Sequence, residues 1–279
     1  MALTVGYIGL GNMGKPIASN VVKGGFELSV FDIRDEPLRD LAALGAHVAK
    51  SAHEVGERSD ILELSLVDDE QIMRVVCGEG GALDGMRAGS IVAIHSTIHP
   101  KTPGLVAEVA NPKGVGVLDA QVSGGQGGAK AQTLTYMVGG KRELFDRCLP
   151  VFETSGKNIF HVGPLGAGSA TKLAQQVIVC LNRMSAYEGM MLAKKAGLDL
   201  EMLQAVVRTT SAQSAIVENW LRDFGHIGDT DRNDPDLMAH LFWKGLVPAL
   251  ELGHEVGLSM PATALVQQTF PRVLGLEKG

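Results

Sequence analysis

The sequence predicts an α/β chain, with an N-terminal Rossmann-type, doubly wound sheet followed by an all-helical C-terminal domain joined to it by one long helix. Three observations predict it. Short β-branched runs alternate with helically spaced segments early in the chain, as a parallel sheet covered on both faces requires. Glycine totals 35 residues, crowding the first 168 positions and thinning afterwards. Beyond Gly163-Pro164-Leu165-Gly166 the apolar period is helical to the end,.

The elements follow in order. Runs at Leu3 to Ile8, Leu28 to Phe31, Ile61 to Leu66, Ile91 to Ile94 and Val115 to Leu118 read as strands. Between them, Met13 to Lys23, Pro37 to Leu44, Glu70 to Val76 and Pro103 to Ala110 carry helical spacing,. From Ala167 to Lys195 apolar residues recur at helical intervals without proline, and Gly197 supplies the stop,. Further helices are expected at Leu200 to Arg208, Ala215 to Leu221, Leu237 to Glu255 and Ala262 to Leu274. The expected domains are 1–164 and 165–279. A helix as long as the one from Ala167 needs apolar partners along more than about 40 Å, so it is expected to join the domains and support a homodimer or homotetramer.

Composition narrows the function. The net charge is -6 with no cluster of Lys and Arg, which argues against nucleic acid as a partner. No apolar run approaches the roughly 20 residues needed to cross a bilayer, and a soluble, cytoplasmic protein is expected. Cys77, Cys148 and Cys180 are too few and too widely spaced for a disulfide framework or paired metal ligands, and are read as buried thiols. His95 and His99 lie four apart, but that spacing converges on a metal only in a helix, and Pro100 with the strand pattern opposes one,. No metal is expected.

The most specific local signal is Gly9-Leu10-Gly11-Asn12-Met13-Gly14, a Gly-x-Gly-x-x-Gly string directly after a strand and opening a helix. Gly9 permits the tight turn, Gly11 lets backbone approach a pyrophosphate, and Gly14 lets helix pack on strand. The next run ends at Asp32, where an acid accepts hydrogen bonds from the adenosine ribose and repels a 2′-phosphate. Arg34 could instead stack on adenine or hold a phosphate. Weighed together they favour NAD, with NADP second.

Four segments in order, GYIGLGNMGKPIA, HSTIHP, DAQVSGG and GPLGAGSATKLAQQ, resemble the β-hydroxyacid dehydrogenase family, which includes 3-hydroxyisobutyrate dehydrogenase, tartronate semialdehyde reductase and, more distantly, 6-phosphogluconate dehydrogenase. The resemblance spans nearly the whole chain. It implies an active site in a cleft between the two domains, with Lys172 as the general acid/base. Alcohol oxidation needs a group that takes the hydroxyl proton as hydride leaves, and dehydration disfavours the ammonium form of such a lysine. The resemblance also implies that Ser123, Gly124 and Gly125 hold a substrate carboxylate. Leu66, Val67, Ser96 and Thr97 would flank the cofactor, and Lys244 would reach back to it.

Departures gather around the substrate. Where the family usually has proline, glycine, asparagine and aspartate, this chain has Gln121, Gln132, Gln176 and Gly245. Gln176 lies one helical turn after Lys172 on the same face, where its amide would steady the reacting hydroxyl. The expected activity is hydride transfer between NAD and a small β-hydroxy acid or its semialdehyde. The alternatives are a reductase of another carbonyl or imine, and a non-catalytic nucleotide sensor. Retention of Lys172 counts against both.

Overall fold

In the computed structural model the described residues are 3–221 and 235–273, the side chains of 235–244 and 270–273 excepted. The chain divides into two compact units, Met1–Lys172 and Leu173–Gly279. The first is built on an eight-stranded sheet. Its opening half runs β1 (Thr4–Ile8), α1 (Gly14–Lys23), β2 (Glu27–Phe31), α2 (Asp35–Ala43), β3 (His47–Val48), α3 (Ala52–Glu57), β4 (Ile61–Leu64) and α4 (Asp69–Ile72). It continues with α5 (Ala82–Gly85), β5 (Ile91–Ile94), α6 (Thr102–Ala110), β6 (Gly116–Ser123), α7 (Gly125–Lys130), β7 (Leu134–Gly139), α8 (Arg142–Phe152) and β8 (Gly156–Gly163).

The strand order is β3-β2-β1-β4-β5-β6-β7-β8, so the order reverses between β1 and β4, where a doubly wound sheet binds its ligand. From β3 to β6 every pairing is parallel. The doubly wound sheet is as expected and mostly parallel; β7 alone pairs antiparallel to β6, and β8 then runs parallel to β7. Consecutive residues bury on opposite faces, as strand geometry demands. Ile61, Ile91 and Ala93 join one core with Val5, Tyr7 and Phe152, while Leu62, Leu64, Val92 and Ile94 join the other with Ile8, Ile72 and Val106. Helices therefore cover both sides.

The long helix, α9, spans Ala167–Lys195, the limits that its apolar period predicts. Helices at Leu200–Val207, Ala215–Glu218, Pro235–Glu255 and Pro261–Val273 follow. Within the second unit, Cys180 of α9 is buried with Leu246 and Val266, and Trp220 is buried with Met190 and Val217. Cys148 is buried as expected, but Cys77 is only half-buried. The segment Glu70 to Val76 is helical only to Ile72 in the ordinary sense; Met73–Cys77 widens into a π-turn.

Candidate active site

The parallel arrangement brings the chain exits of β1, β2, β4, β5 and β6 to one edge of the sheet. The turn after β1 shows why three glycines are needed, each for a different reason. Gly9 adopts φ +90, where side chains are disfavoured,, and a Cβ there would also meet the Ser65 carbonyl. A Cβ on Gly14 would strike the Gly9 carbonyl, so this glycine closes the helix onto the turn. Gly11 differs: a Cβ built on it meets nothing within 4 Å. Among the described residues nothing obliges that position to be glycine, and the space beside it is open. At Met13 no side chain caps α1, and its first turn holds no acid, leaving the helix start suited to an anion. Leu10 is buried and Asn12 exposed.

Asp32 ties this turn to β2. Its carboxylate accepts from the Leu10 N–H at 2.6 Å, from the Arg34 N–H at 2.9 Å, and from the Arg34 guanidinium at 3.0 and 3.2 Å. Burial alone would raise the carboxyl, but the bonds from Arg34 and Leu10 outweigh it and hold Asp32 below the usual carboxylate range,. A ribose diol binding here must displace part of Arg34, which is half-exposed. Open space beside Gly11 among the described residues, an uncapped helix start and an ionised carboxylate beside them fit a dinucleotide,.

The next two loops are tied together. The Leu66 N–H donates to Ser96 Oγ at 2.7 Å, and the Val67 N–H to Gln71 Oε1 at 2.8 Å. Val67 is exposed. Asp69 accepts from the His99 N–H and the Thr102 hydroxyl, pinning the loop that carries Thr97. His95 belongs to the core: Nδ1 lies 2.7 Å from the Ala120 carbonyl and Nε2 lies 3.1 Å from Glu63 Oε1. Both ring nitrogens are thus engaged inside the sheet.

Ser123 ends β6, and Gly124 (φ +131) and Gly125 (φ +61) turn the chain into α7. Both glycines are exposed, and a Cβ at Gly125 would meet nothing within 4 Å. Gln132, in the loop before β7, holds φ 59, a conformation better suited to the glycine it replaces.

Asp119 carries a task that its motif alone did not reveal. Oδ1 accepts from the Gly166 N–H at 2.9 Å and Oδ2 from the Ser169 N–H at 2.7 Å, so a buried acid of β6 holds the start of α9. Burial pushes its carboxyl up, and the two backbone bonds only partly oppose this,. Gln121, two residues on and on the same strand face, donates to the Ile94 carbonyl at 3.2 Å and to Ser169 Oγ at 3.4 Å. A Cβ at Gly168 would strike the carbonyls of Asp119 and Met137, so α9 sits directly on the sheet. The legible signal was an acid in the middle of a strand run that begins apolar, Val117-Leu118-Asp119, where a buried charge needs a partner. Lys172 follows in the second turn of α9 and is 9% exposed. Gln176, one turn further, is equally buried and lies beside Gly245. The side chain of Lys244 lies outside the described residues.

Comparison with known proteins shows what the chain is similar to. Residues 4–163 match the NAD binding domain of 6-phosphogluconate dehydrogenase, and residues 166–278 match a domain described as NAD-binding of NADP-dependent 3-hydroxyisobutyrate dehydrogenase. The 2-(hydroxymethyl)glutarate dehydrogenase of Eubacterium barkeri is 35% identical, over 99% of this chain and 91% of its own. The 2-hydroxy-3-oxopropionate reductase of Escherichia coli is 36% identical, over 96% and 90%. A crystal structure of 3-hydroxyisobutyrate dehydrogenase from Salmonella typhimurium superimposes with a TM-score of 0.82 at 28% identity, over 97% and 93%.

Proposed function

Because the chain belongs to the β-hydroxyacid dehydrogenase family, we propose that it passes a hydride between NAD and a small β-hydroxy acid, or the corresponding semialdehyde in reverse. Membership makes it an oxidoreductase that uses a nicotinamide dinucleotide. The observation that carries the reading is Gly11: a glycine the fold does not need, beside an uncapped helix start and a carboxylate held ionised.

When bound, the cofactor supplies the hydride acceptor or donor at its nicotinamide ring. The backbone of Gly9, Leu10, Gly11, Asn12, Met13 and Gly14 receives the pyrophosphate, and Asp32 takes the adenosine ribose, favouring NAD over NADP. Arg34, released from Asp32, lies against the adenine end. Leu66, Val67, Ser96 and Thr97 would line the nicotinamide side, and Lys244 is assigned to the cofactor with them. Lys172 removes the hydroxyl proton in oxidation and returns it in reduction. Ser123 and the N–H groups of Gly124 and Gly125 hold the carboxylate, and the Gln176 amide orients the reacting hydroxyl.

The same reading divides the chain into a dinucleotide domain at 1–164 and a helical domain at 165–279. It takes the assembly as a homodimer or homotetramer, supported by the exposed apolar Ile178 and Leu192 on α9,. It places the protein in the cytoplasm, which suits three free cysteines,.

The test follows absorbance at 340 nm with NAD and NADP separately, against 3-hydroxyisobutyrate, glycerate, threonate and phenylserine. Turnover with NAD on one of these acids is expected. Silence on all of them, with NADH still binding tightly, would replace this reading with reduction of another carbonyl or imine, or with nucleotide sensing.

A further inference from the structure

Gly245 has no conformational reason to be glycine. It is buried in the interior of the Pro235–Glu255 helix and does not adopt the left-handed backbone that favours the residue. Glycine is among the poorest helix formers, so a buried mid-helix glycine points to a close approach. The approach is to Gln176: a Cβ on Gly245 would lie 2.8 Å from Nε2, 3.4 Å from Cγ and 3.5 Å from Cδ. All three of the nearest atoms belong to that one side chain. Pro248 in the same helix is not the cause, because a proline ring crowds the carbonyl four residues back, at 244, rather than the α-carbon of 245. Cys180, one turn after Gln176, and Leu246, next to Gly245, belong to the same small core of this unit, which holds the two helices together near this level.

We propose that Gln176 and Gly245 are one specificity determinant, in which the missing side chain of Gly245 is the seat that sets how far the Gln176 amide reaches. The proposal rests on the assignment of Gln176 to the reacting hydroxyl. Glutamine is one methylene longer than the asparagine usual in the family, and the seat draws that extra length back against the neighbouring helix. With the seat filled, the amide is the part that yields, being the free end of a flexible side chain. Gly245 therefore acts through Gln176 and is a positioning residue.

A four-protein cycle tests this: the parent, Gly245→Ala, Gln176→Asn and the double variant, each assayed on two hydroxy acids of different size, with NADH affinity and thermal unfolding measured alongside. Alanine favours helix, so Gly245→Ala is expected to fold. It should lower kcat/KM about tenfold, since misplacement by an ångström costs up to a hundredfold, and should change the ratio between the two acids while NADH affinity stays within twofold. In the Gln176→Asn background the same alanine should cost less than twofold, because the shorter amide no longer meets it. An equal loss in both backgrounds, or no loss in either, overturns the proposal. A separate Gln176→Ala variant distinguishes the underlying assignment: unchanged kcat/KM there removes Gln176 from the substrate and overturns both.

Discussion

Gly11 and Gly245 each leave out a side chain, and the space is used differently at the two positions. Beside Gly11 no described residue outside its own turn comes within 4 Å of where a Cβ would stand. Beside Gly245 it is filled by the chain's own glutamine. The first belongs to the turn that keeps the family's motif, and the second to a helix face where the sequence departs from it. The difference teaches that a missing side chain can leave a space open or make room for a neighbouring side chain,.

The sharpest way to break this division is at Lys172. Lys172→Ala is expected to lower kcat by about a thousandfold, the scale of lost acid/base catalysis, while NADH fluorescence reports binding within a few-fold. Substantial surviving turnover would remove the lysine from the chemistry. Next come two glycines of the same turn. Gly14→Ala drives a Cβ into the Gly9 carbonyl and should cost about 3 kcal/mol in stability, visible as a lower urea midpoint. Gly11→Ala should leave that midpoint unchanged yet weaken NADH about tenfold, a difference of about 1.4 kcal/mol. If Gly11→Ala unfolds the protein, the clear space beside it has a structural purpose after all.

Asp32→Asn refines the cofactor side. It should narrow the NAD over NADP preference several-fold, read as the ratio of kcat/KM values. Because the folded carboxyl lies below its ordinary value, its contribution to stability is present above the unfolded pKa of about 3.9 and disappears as pH falls through the lowered folded value. The asparagine variant should therefore lose less stability than the parent on acidification below about pH 4, which a pH series of thermal melts would record. The smallest effect is expected at Gln132. Gln132→Gly relieves a left-handed backbone and should add about 0.5 kcal/mol after the entropy of glycine is counted, with no change in either kinetic constant.

Local periodicity made much of this architecture legible. The glycine turn, every strand of the parallel part except the two-residue β3, and both limits of α9 followed from short-range patterns, although β6 runs on to Ser123, beyond its predicted end at Leu118. The strands β7 and β8, with α7 and α8 between and beside them, did not. β7 is buried along nearly its whole length, so it shows no alternation, while β8 mixes exposed and half-buried positions and shows no period at all. The motif marked the cofactor turn because its parts are adjacent in the chain. The work of Asp119 stayed hidden because its partners lie 47 and 50 residues away, a distance that only the folded sheet closes. The pairing of Gln176 with Gly245 was legible only as two departures from a familiar pattern, with nothing in the order of residues to link them.

The grip of Asp119 on the first turn of α9 bears on how this protein can be recombined with its relatives. A chimera joined after Lys172 keeps Gly166, Gly168 and Ser169 with the sheet that holds them. One joined at the Gly163-Pro164 turn imports a foreign first turn, and it closes onto the sheet only if the donor brings a glycine at 168, where any Cβ meets the carbonyls of Asp119 and Met137. The natural seam for exchanging the helical unit between such enzymes therefore runs through the second turn of a helix rather than through the loop before it.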